Sequence, residues 1–445
     1  MATVVGTSPA GRRCSLGLAM LLMASPAVAL EWEIVPVLSL GAVATDNASA
    51  DARQDESLVL RVSPGVGVRR QGGRVRLGLD YRLEDLYYAQ QGDNEIFHRL
   101  LGTATTELIR DRLFIDADAS ISQTLASAEG PLIEDNLVRN DDRTSVYSLS
   151  LNPYWINDYA GYAESLVSYE LGHVHYDSAR ASDTLQQVAS VQVGSGRRFT
   201  ALNWNLAASL SHQEREGAAG DTEQRSLAGA IGYPLTDELS LVGEGGYQQV
   251  ELSNRAFGRD GSFWRAGLSW LPSRFIRADA LLGEDNSRFT LGLYPTVRTS
   301  LEVTRLNQEV GANTGVTWSG RASHRTRHSS WNLSHLDEVT TAQGLEFIEL
   351  LLDDEGRFVD INGQPLDFER LQGNSGLLTP GGLFLLTDEE FRRRRTALDV
   401  TYTRRRNTFS LGLYRESRDF GDEADNRQVL GSNAGWSIRL APRTR

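Results

Sequence analysis

Alternating apolar and polar positions run through this chain, most regularly between residues 225 and 305. Three times in that stretch, an alternating run reaches a short proline-containing turn and a second alternating run follows; the turns are PLTDE, LPSR and PTVR. A period of two residues is typical of a β-strand with one apolar and one polar face. Proline is tolerated in these turns because turn residues do not pair in the ladder. The repeated hairpins therefore predict an antiparallel up-and-down sheet.

The two faces of these strands differ in chemistry. One face collects leucine, isoleucine and aromatic residues, which we expect to contact lipid; it includes Leu227, Ile231, Leu239, Leu241, Trp264, Leu268, Leu291 and Leu293. The other face is polar and carries charges. We interpret the charged positions as lining a lumen; they are Glu244, Arg265, Arg277, Asp279 and Glu302.

Connections between the predicted strands fall into two classes. Short turns, such as RQGG, IRDR, NPYWIND, GSGRR, RTRH and RRRN, alternate with longer, polar and mostly acidic connections. Short periplasmic turns alternating with long external loops are the pattern of outer-membrane barrels. The sequence thus predicts an all-β fold, an antiparallel up-and-down transmembrane β-barrel. We count about 20 strands, with roughly 16 to 22 allowed by errors in strand boundaries.

Aromatic residues cluster near the predicted strand ends. Beside the short turns these are Trp155, Tyr233, Trp270 and Tyr294. Membrane barrels carry aromatic girdles at both interfaces because amphipathic rings prefer that environment. Ordinary strand propensity for aromatic residues is the alternative explanation. We predict an interface girdle at these four positions.

One connection, residues 341–392, is far longer than the others. Loops of this length are usually functional or disordered, and its leucine and phenylalanine content argues against disorder. Asn362 and Gly363 predict a small hairpin within it. We interpret the segment as an external gate, or as a lid that binds a partner. The candidate gate or rim residues are Asp353, Asp354, Glu355, Asp388, Glu389, Arg392, Arg393, Arg394 and Arg395.

The N-terminus has the organisation of a secretory signal peptide. Arg12 and Arg13 precede a short apolar run, and Ala27-Val28-Ala29 forms a small-residue cleavage site. We expect residues 1–29 to be removed, leaving residues 30–445 as the barrel. Cleavage would change the net charge from −13 to −15, because those residues contain two arginines and no acid. The negative charge argues against nucleic acid as a partner.

Motifs that carry catalysis or bind cofactors are missing from the sequence. We find no nucleophile elbow, P-loop, dinucleotide fingerprint or zinc signature. His173 and His175 share one face of a strand, but neighbouring acids at ligand spacing are not evident, and we expect no metal site. Arginine runs at residues 392–395 and 404–406 could bind lipopolysaccharide phosphates or an anionic polymer, or could be solvated rim charges. We expect neither enzyme activity nor a cofactor.

Several hairpin segments resemble a known family. They are WEIVPVLSLG, SPGVGVRRQGGRVRLGLDYRLEDLYY, LNPYWINDYAGYAESLVSYELG, GVTWSGRASHRTRHSSWNLSH and TYTRRRNTFSLGLYRESRD. The chain resembles the outer-membrane β-barrel proteins associated with PEP-CTERM systems, which accompany exosortase and exopolysaccharide genes in Gram-negative bacteria. The resemblance implies a porin-like barrel with a role in surface polysaccharide or exported-protein processes. The chain ends GWSIRLAPRTR, which departs from the aromatic-terminated closing strand usual in barrels; the barrel either closes on the strand from Gln428 or lacks closing strands.

From the sequence we therefore expect a porin-like barrel in the outer membrane of a Gram-negative bacterium, associated with exopolysaccharide transport. Its expected partners are outer-membrane lipid and lipopolysaccharide, with polysaccharide and export-machinery proteins as further candidates. The alternative is a structural or adhesive barrel that does not conduct and whose external loops bind a surface partner. A soluble periplasmic or secreted β-protein would not explain the asymmetry of the connections.

Overall fold

The fold was determined as a computed structural model of the 445-residue chain. The structure describes residues 32–45, 57–125, 143–178, 182–199, 201–216, 220–252, 257–340, 351–352, 358–359, 391–421 and 426–438. Regular structure in these ranges is entirely β. No helix in them is long and apolar enough to cross a membrane.

The described residues contain twenty-two strands, which follow one another along the chain. The first eleven are β1 (Trp32–Thr45), β2 (Ser57–Gln71), β3 (Val75–Tyr88), β4 (Asp93–Ile109), β5 (Leu113–Leu125), β6 (Arg143–Asp158), β7 (Ala163–Tyr176), β8 (Thr184–Ser195), β9 (Asn203–Arg215), β10 (Thr222–Pro234) and β11 (Leu239–Glu251). The others are β12 (Gly261–Ser273), β13 (Ile276–Gly283), β14 (Asn286–Thr296), β15 (Thr299–Gln308), β16 (Gly315–Arg325), β17 (Ser329–Thr340), β18 (Leu351–Leu352), β19 (Phe358–Val359), β20 (Phe391–Arg404), β21 (Asn407–Asp419) and β22 (Arg427–Ile438).

Twenty of these strands form one antiparallel sheet in which chain neighbours pair. β17 pairs with β20, so the sheet continues across the long connection. Within that connection, Leu351 and Leu352 of β18 pair with Val359 and Phe358 of β19. The hairpin predicted at Asn362 and Gly363 lies outside the described residues. Among the ladders that the structure describes, none joins β1 to β22.

The two faces of the sheet have opposite character. We call the face that carries Ile231, Leu241 and Trp264 the outer face; these side chains are about half exposed, at 50%, 49% and 57%. The alternate positions form the inner face, where charged side chains lie. Strongly twisted open sheets rarely exceed about ten strands without curling. A 20-stranded up-and-down sheet with one exposed apolar face thus has the architecture of an outer-membrane barrel wall, which confirms the predicted fold class.

The connections follow the two length classes with two exceptions: residues 284–285 form a short connection on the long side, and residues 196–202 form a longer one on the short side. One turn also differs in position. The segment NPYWIND was predicted as a turn, whereas it lies inside β6 and pairs with β5 and β7. The turn is instead at residues 159–162, where Ala160 and Gly161 have φ angles of 57° and 77°. This backbone conformation closes the β6–β7 hairpin directly after Asp158. Trp155 is therefore a strand residue and not a turn residue.

The boundary of the long connection also differs from the expected one. β20 begins at Phe391, so Arg392 to Arg395 are strand residues whose side chains alternate between the two faces. The sequence interpretation placed them on the rim, because four consecutive arginines hide the alternation of apolar and polar residues. The connection between β17 and β20 accordingly spans residues 341–390.

Candidate functional site: the charged inner wall

Charged side chains on the inner face form three clusters, each centred on one glutamate. They are the Glu84 cluster on β2–β4, the Glu244 cluster on β11–β14 and the Glu416 cluster on β17–β21. The Glu84 and Glu416 clusters lie nearer to the long connections than to the short turns, and Glu244 lies near the middle of β11. In each case the alternation of the strands places the glutamate and its arginines on the same face.

The Glu244 cluster joins three strands. Glu244 faces Arg265 across the β11–β12 ladder, and its Oε2 lies 3.3 Å from Nη2 of Arg265. Its Oε1 lies 2.5 Å from Nη2 of Arg288 on β14. The guanidinium of Arg265 stacks on Phe263 with 4.9 Å to the ring centroid, and its Nε and Nη1 are buried without a hydrogen-bond partner among the described residues. Two guanidinium groups thus share one carboxylate, and Arg265 keeps two N–H groups that donate to none of the described residues.

The Glu416 cluster is the most enclosed. Oε2 of Glu416 accepts hydrogen bonds from Arg393 at 3.0 Å and from Arg395 at 2.9 Å, and Oε1 accepts from Nε of Arg418 at 3.0 Å. Arg393 also lies 3.5 Å from Glu338 on β17. Glu416 and Arg418 are 0% and 1% exposed. Burial of these charges is supportable because each one is paired and hydrogen-bonded.

The Glu84 cluster repeats the arrangement on the first strands. Arg61 and Arg99 lie on either side of Glu84, with both N–O distances at 3.7 Å. Across the three clusters, seven arginines surround four glutamates, counting Glu338. Within these clusters, arginines therefore outnumber acids.

The other charged lumen candidates lie nearer to the short turns. Asp279 accepts hydrogen bonds from Ser269 at 2.5 Å and from Arg277 at 3.0 Å. Glu302 accepts one from the hydroxyl of Tyr294 at 3.0 Å. Of the five predicted lumen residues, the structure thus joins Glu244 with Arg265 and Arg277 with Asp279. Glu302 belongs to a third group with Tyr294.

Tyr294 departs from the girdle that the sequence predicted. Its hydroxyl bonds an inner-face carboxylate, so its ring lies on the polar face. Successive side chains of a strand point to opposite faces. Leu291 and Leu293 occupy the outer face of β14, so Tyr294, the next residue, points to the inner face. The other three girdle candidates do lie on the outer face beside short turns: Trp155 opposite Val167, Tyr233 opposite Leu241, and Trp270 opposite Leu239.

The four consecutive arginines of β20 divide between the faces. Arg393 and Arg395 join the Glu416 cluster inside, whereas Arg392 and Arg394 contact Asp337 on the outer face at 2.6 Å and 3.6 Å. The candidate gate acids lie outside the described residues; they are Asp353, Asp354, Glu355, Asp388 and Glu389. Their relation to the wall arginines stays a prediction.

The histidine pair lies on the outer face of β7. His175 contacts Asp183 through Nδ1 at 2.5 Å and Asp177 through Nε2 at 3.8 Å. Contrary to the sequence expectation, two acids therefore lie beside this histidine: Asp177, two residues further along the chain, and Asp183 at the end of the β7–β8 connection. Within the described ranges, no group of three or more histidine, cysteine, aspartate or glutamate side chains is placed to hold a metal ion.

Sequence reasoning missed most members of the clusters. Arg61, Glu84, Arg99 and Arg288 follow the alternation, but the sequence analysis does not single them out as lumen residues. Glu416 and Arg418 are two residues apart in one strand, and this spacing alone predicts that they share a face. Their convergence with Arg393 depends on β20 pairing with β21 in one register, which the arginine run does not reveal.

Comparisons with known proteins add little to this geometry. No protein-family model and no curated protein matches the chain. Similar solved structures include the siderophore receptor PirA from Pseudomonas aeruginosa, with 8% identity, a TM-score of 0.42, and coverage of 94% of this chain and 75% of that one. The alcaligin outer-membrane receptor FauA from Bordetella pertussis has 11% identity, a TM-score of 0.37, and coverage of 91% and 70%. Likenesses this distant give no basis for assigning a ligand to this chain.

Proposed function

We propose that this protein is an outer-membrane pore that guides an acidic surface polysaccharide across the membrane without enzyme activity or a cofactor. Export through a signal peptide cleaved after Ala29 is part of the proposal. The sequence resemblance to the barrels of PEP-CTERM systems supports the exopolysaccharide setting. A porin-like role follows from the polar inner face.

The observation that carries the proposal is the excess of arginine over acid within the three clusters of the inner wall. Guanidinium groups bind carboxylate, phosphate and sulfate through charge-assisted, often bidentate hydrogen bonds. The clusters lie on three separate parts of the wall, so a polyanion could contact several weak sites at once. Passage requires binding that is favourable enough for entry and weak enough for release, and dispersed sites meet that requirement.

Membrane insertion is supported by the outer face. Apolar side chains on it are exposed along every part of the sheet, from Leu40 on β1 at 71% to Leu411 on β21 at 42%. Exposed apolar area of this extent is unfavourable in water and is covered by acyl chains in a bilayer. Antiparallel pairing satisfies the backbone hydrogen bonds between neighbouring strands, as a membrane interior demands.

A second function, a non-conducting scaffold, is favoured by one observation. The Glu416 cluster lies on the inner face, yet its central side chains are almost fully excluded from water. A barrel with a filled interior would exclude water from side chains on its inner wall in this way. In that case the external loops would bind a surface partner and nothing would pass through the barrel.

Planar-bilayer recordings separate the two functions. We expect the refolded full-length protein to form channels that prefer anions in a salt gradient. An acidic oligosaccharide, such as an oligogalacturonate, should block the current at lower concentration than a neutral dextran oligomer of the same length. Arg265→Gln combined with Arg288→Gln should remove part of that difference.

Arg225→Gln provides the matched control. Arg225 lies on the outer face of β10, is paired with Glu223, and does not reach the inner wall. Its loss should leave conductance and blockade unchanged. Channels that are blocked equally by acidic and neutral oligosaccharides would refute the polyanion proposal, and a folded barrel without conductance would establish the scaffold.

A further inference from the structure

The outer face carries a second set of arginines that a pore wall does not need. We define the outer arginine patch as Arg305 on β15, Arg392 and Arg394 on β20, and Arg415 on β21. Each lies in the half of its strand nearer to the long connections. Two acids, Asp337 and Asp419, share the same area, so four positive charges face two negative ones.

Within this patch, Asp337 holds two arginines in place. Arg392 donates to both carboxylate oxygens of Asp337, at 2.6 Å and 2.8 Å, and its Nη2 also donates to the carbonyl of Val316 at 2.8 Å. Arg394 contacts the same carboxylate but remains 46% exposed. Arg392 therefore binds Asp337 through two hydrogen bonds, while Arg394 contacts the same carboxylate and stays about half exposed. A preorganised, exposed guanidinium is suited to bind an oxyanion.

Arg305 extends the patch to an apolar groove. On the outer face Arg305 pairs with Trp318 across the β15–β16 ladder and with Phe289 across the β14–β15 ladder. Beside it, on the far side of Phe289, the small side chains Ala278 and Ala280 of β13 leave a groove of about 1100 Å³. The groove is flanked by Leu268, Trp270, Phe289, Leu291 and Val303, and one end is formed by Arg305 and Trp318.

Groove and patch together match an amphiphile with an anionic head. The groove extends from the short turn at Thr236 to Arg305 on β15, and its lining of alanine, leucine, phenylalanine and valine side chains suits an acyl chain. Arg305 and Arg394 are separated by three inter-strand steps, roughly 14 Å. That separation suits a large headgroup with more than one phosphate better than a single small anion.

We infer that the outer arginine patch and the adjoining groove bind a phosphorylated glycolipid of the outer leaflet, with phosphates on Arg305 and Arg394 and an acyl chain over Ala278 and Ala280. The aromatic ring of Trp318 lies between the two arginines along the sheet, at the level where amphipathic rings favour the membrane interface. This inference is independent of whether the barrel conducts. It requires only that the outer face contacts lipid.

Native mass spectrometry of the refolded, delipidated protein in detergent tests the inference. Bisphosphorylated lipid A is the probe, with dephosphorylated lipid A and inorganic phosphate as separate arms. The double variant Arg305→Gln, Arg394→Gln should bind bisphosphorylated lipid A at least tenfold more weakly than wild type. Ala280→Phe, which fills the groove, should weaken the same binding while leaving both arginines intact.

Arg225→Gln is again the control, because Arg225 is an exposed outer-face arginine outside the patch. It should bind the probe as wild type does. All variants must first show the heat-modifiable gel migration of a folded barrel. Equal affinity of wild type and the double variant would overturn the inference. So would equal binding of dephosphorylated lipid A, or saturation of the site by inorganic phosphate alone.

Discussion

Glu416 and Arg393 lie on neighbouring strands with an oxygen–nitrogen distance of 3.0 Å, and both side chains are almost fully buried, at 0% and 5% exposure. This carboxylate is also the shared acceptor for Arg395 and Arg418. Because one acid neutralises a group of arginines, its removal should cost more than the loss of any single arginine.

The variant Glu416→Gln should therefore be strongly destabilised. It would leave the arginines of the cluster without their common counter-charge, and breaking a buried pair costs about 3–5 kcal/mol. Urea unfolding in detergent micelles, followed by gel migration, measures the loss. Glu223→Gln, which removes an outer-face partner of Arg225, should change the free energy of unfolding by under about 1 kcal/mol. Similar losses in both variants would show that the cluster contributes no special stability.

The two faces of β10 should respond oppositely to arginine. Ile231 is 50% exposed on the outer face, so Ile231→Arg should destabilise the barrel by about 2–4 kcal/mol if the residue lies near the membrane midplane. Ala230 pairs with Glu244 on the inner face, so Ala230→Arg would find an acid beside it and should be tolerated better. Equal tolerance at the two positions in lipid-bilayer unfolding would contradict membrane insertion.

Two glycines of neighbouring strands should differ in their tolerance of alanine. A Cβ at Gly267 would overlap the carbonyl oxygen of Ala280 on β13, whereas a Cβ at Gly243 would meet only Cγ2 of Ile231 at 3.4 Å. Gly267→Ala should lower the yield of heat-modifiable barrel after refolding, and Gly243→Ala should refold like wild type. Full refolding of Gly267→Ala would mean that β12 and β13 separate easily.

The long connection provides a functional prediction. Deletion of residues 341–390, which stops before β20, should leave folding intact, raise single-channel conductance and shift selectivity further towards anions. The reason is that the predicted gate acids would be removed while the wall arginines remain. Unchanged conductance and selectivity in a folded deletion variant would exclude a gate. Joining Thr340 to Phe391 through a short glycine-serine linker would preserve the β17–β20 pairing.

The fold was largely predictable because alternation and turn lengths are local properties. The alternation along each strand assigns Leu227, Leu241 and Trp264 to one face without any information about the neighbouring strands. The estimate of about 20 strands matches the 20-stranded sheet. The NPYWIND segment was misplaced because proline and asparagine suggest a turn even where the strand continues. Tyr294 was predicted to belong to the girdle because it lies beside a turn, although the alternation along β14 places it on the polar face.

The clusters were less predictable because they depend on register between strands. Glu244 and Arg265 are 21 positions apart, and only the β11–β12 ladder brings them face to face. Arg288 reaches the same glutamate across a strand on which Gly283 and Leu281 lie, so its contact depends on side-chain length as well as on pairing. Such contacts arise from geometry that a linear pattern does not encode.

The division of Arg392 to Arg395 between two faces has a consequence for assembly. A shift of β20 by one residue exchanges its faces, yet it would still present arginine to both sides over this run. The arginine run therefore does not favour the native register of β20 over a register that is shifted by one residue. Discrimination must come from the lower half of the strand, where a shift would turn Leu398 and Val400 towards the polar interior and Asp399 towards lipid. During insertion, β20 would acquire its correct alignment from the membrane-embedded end.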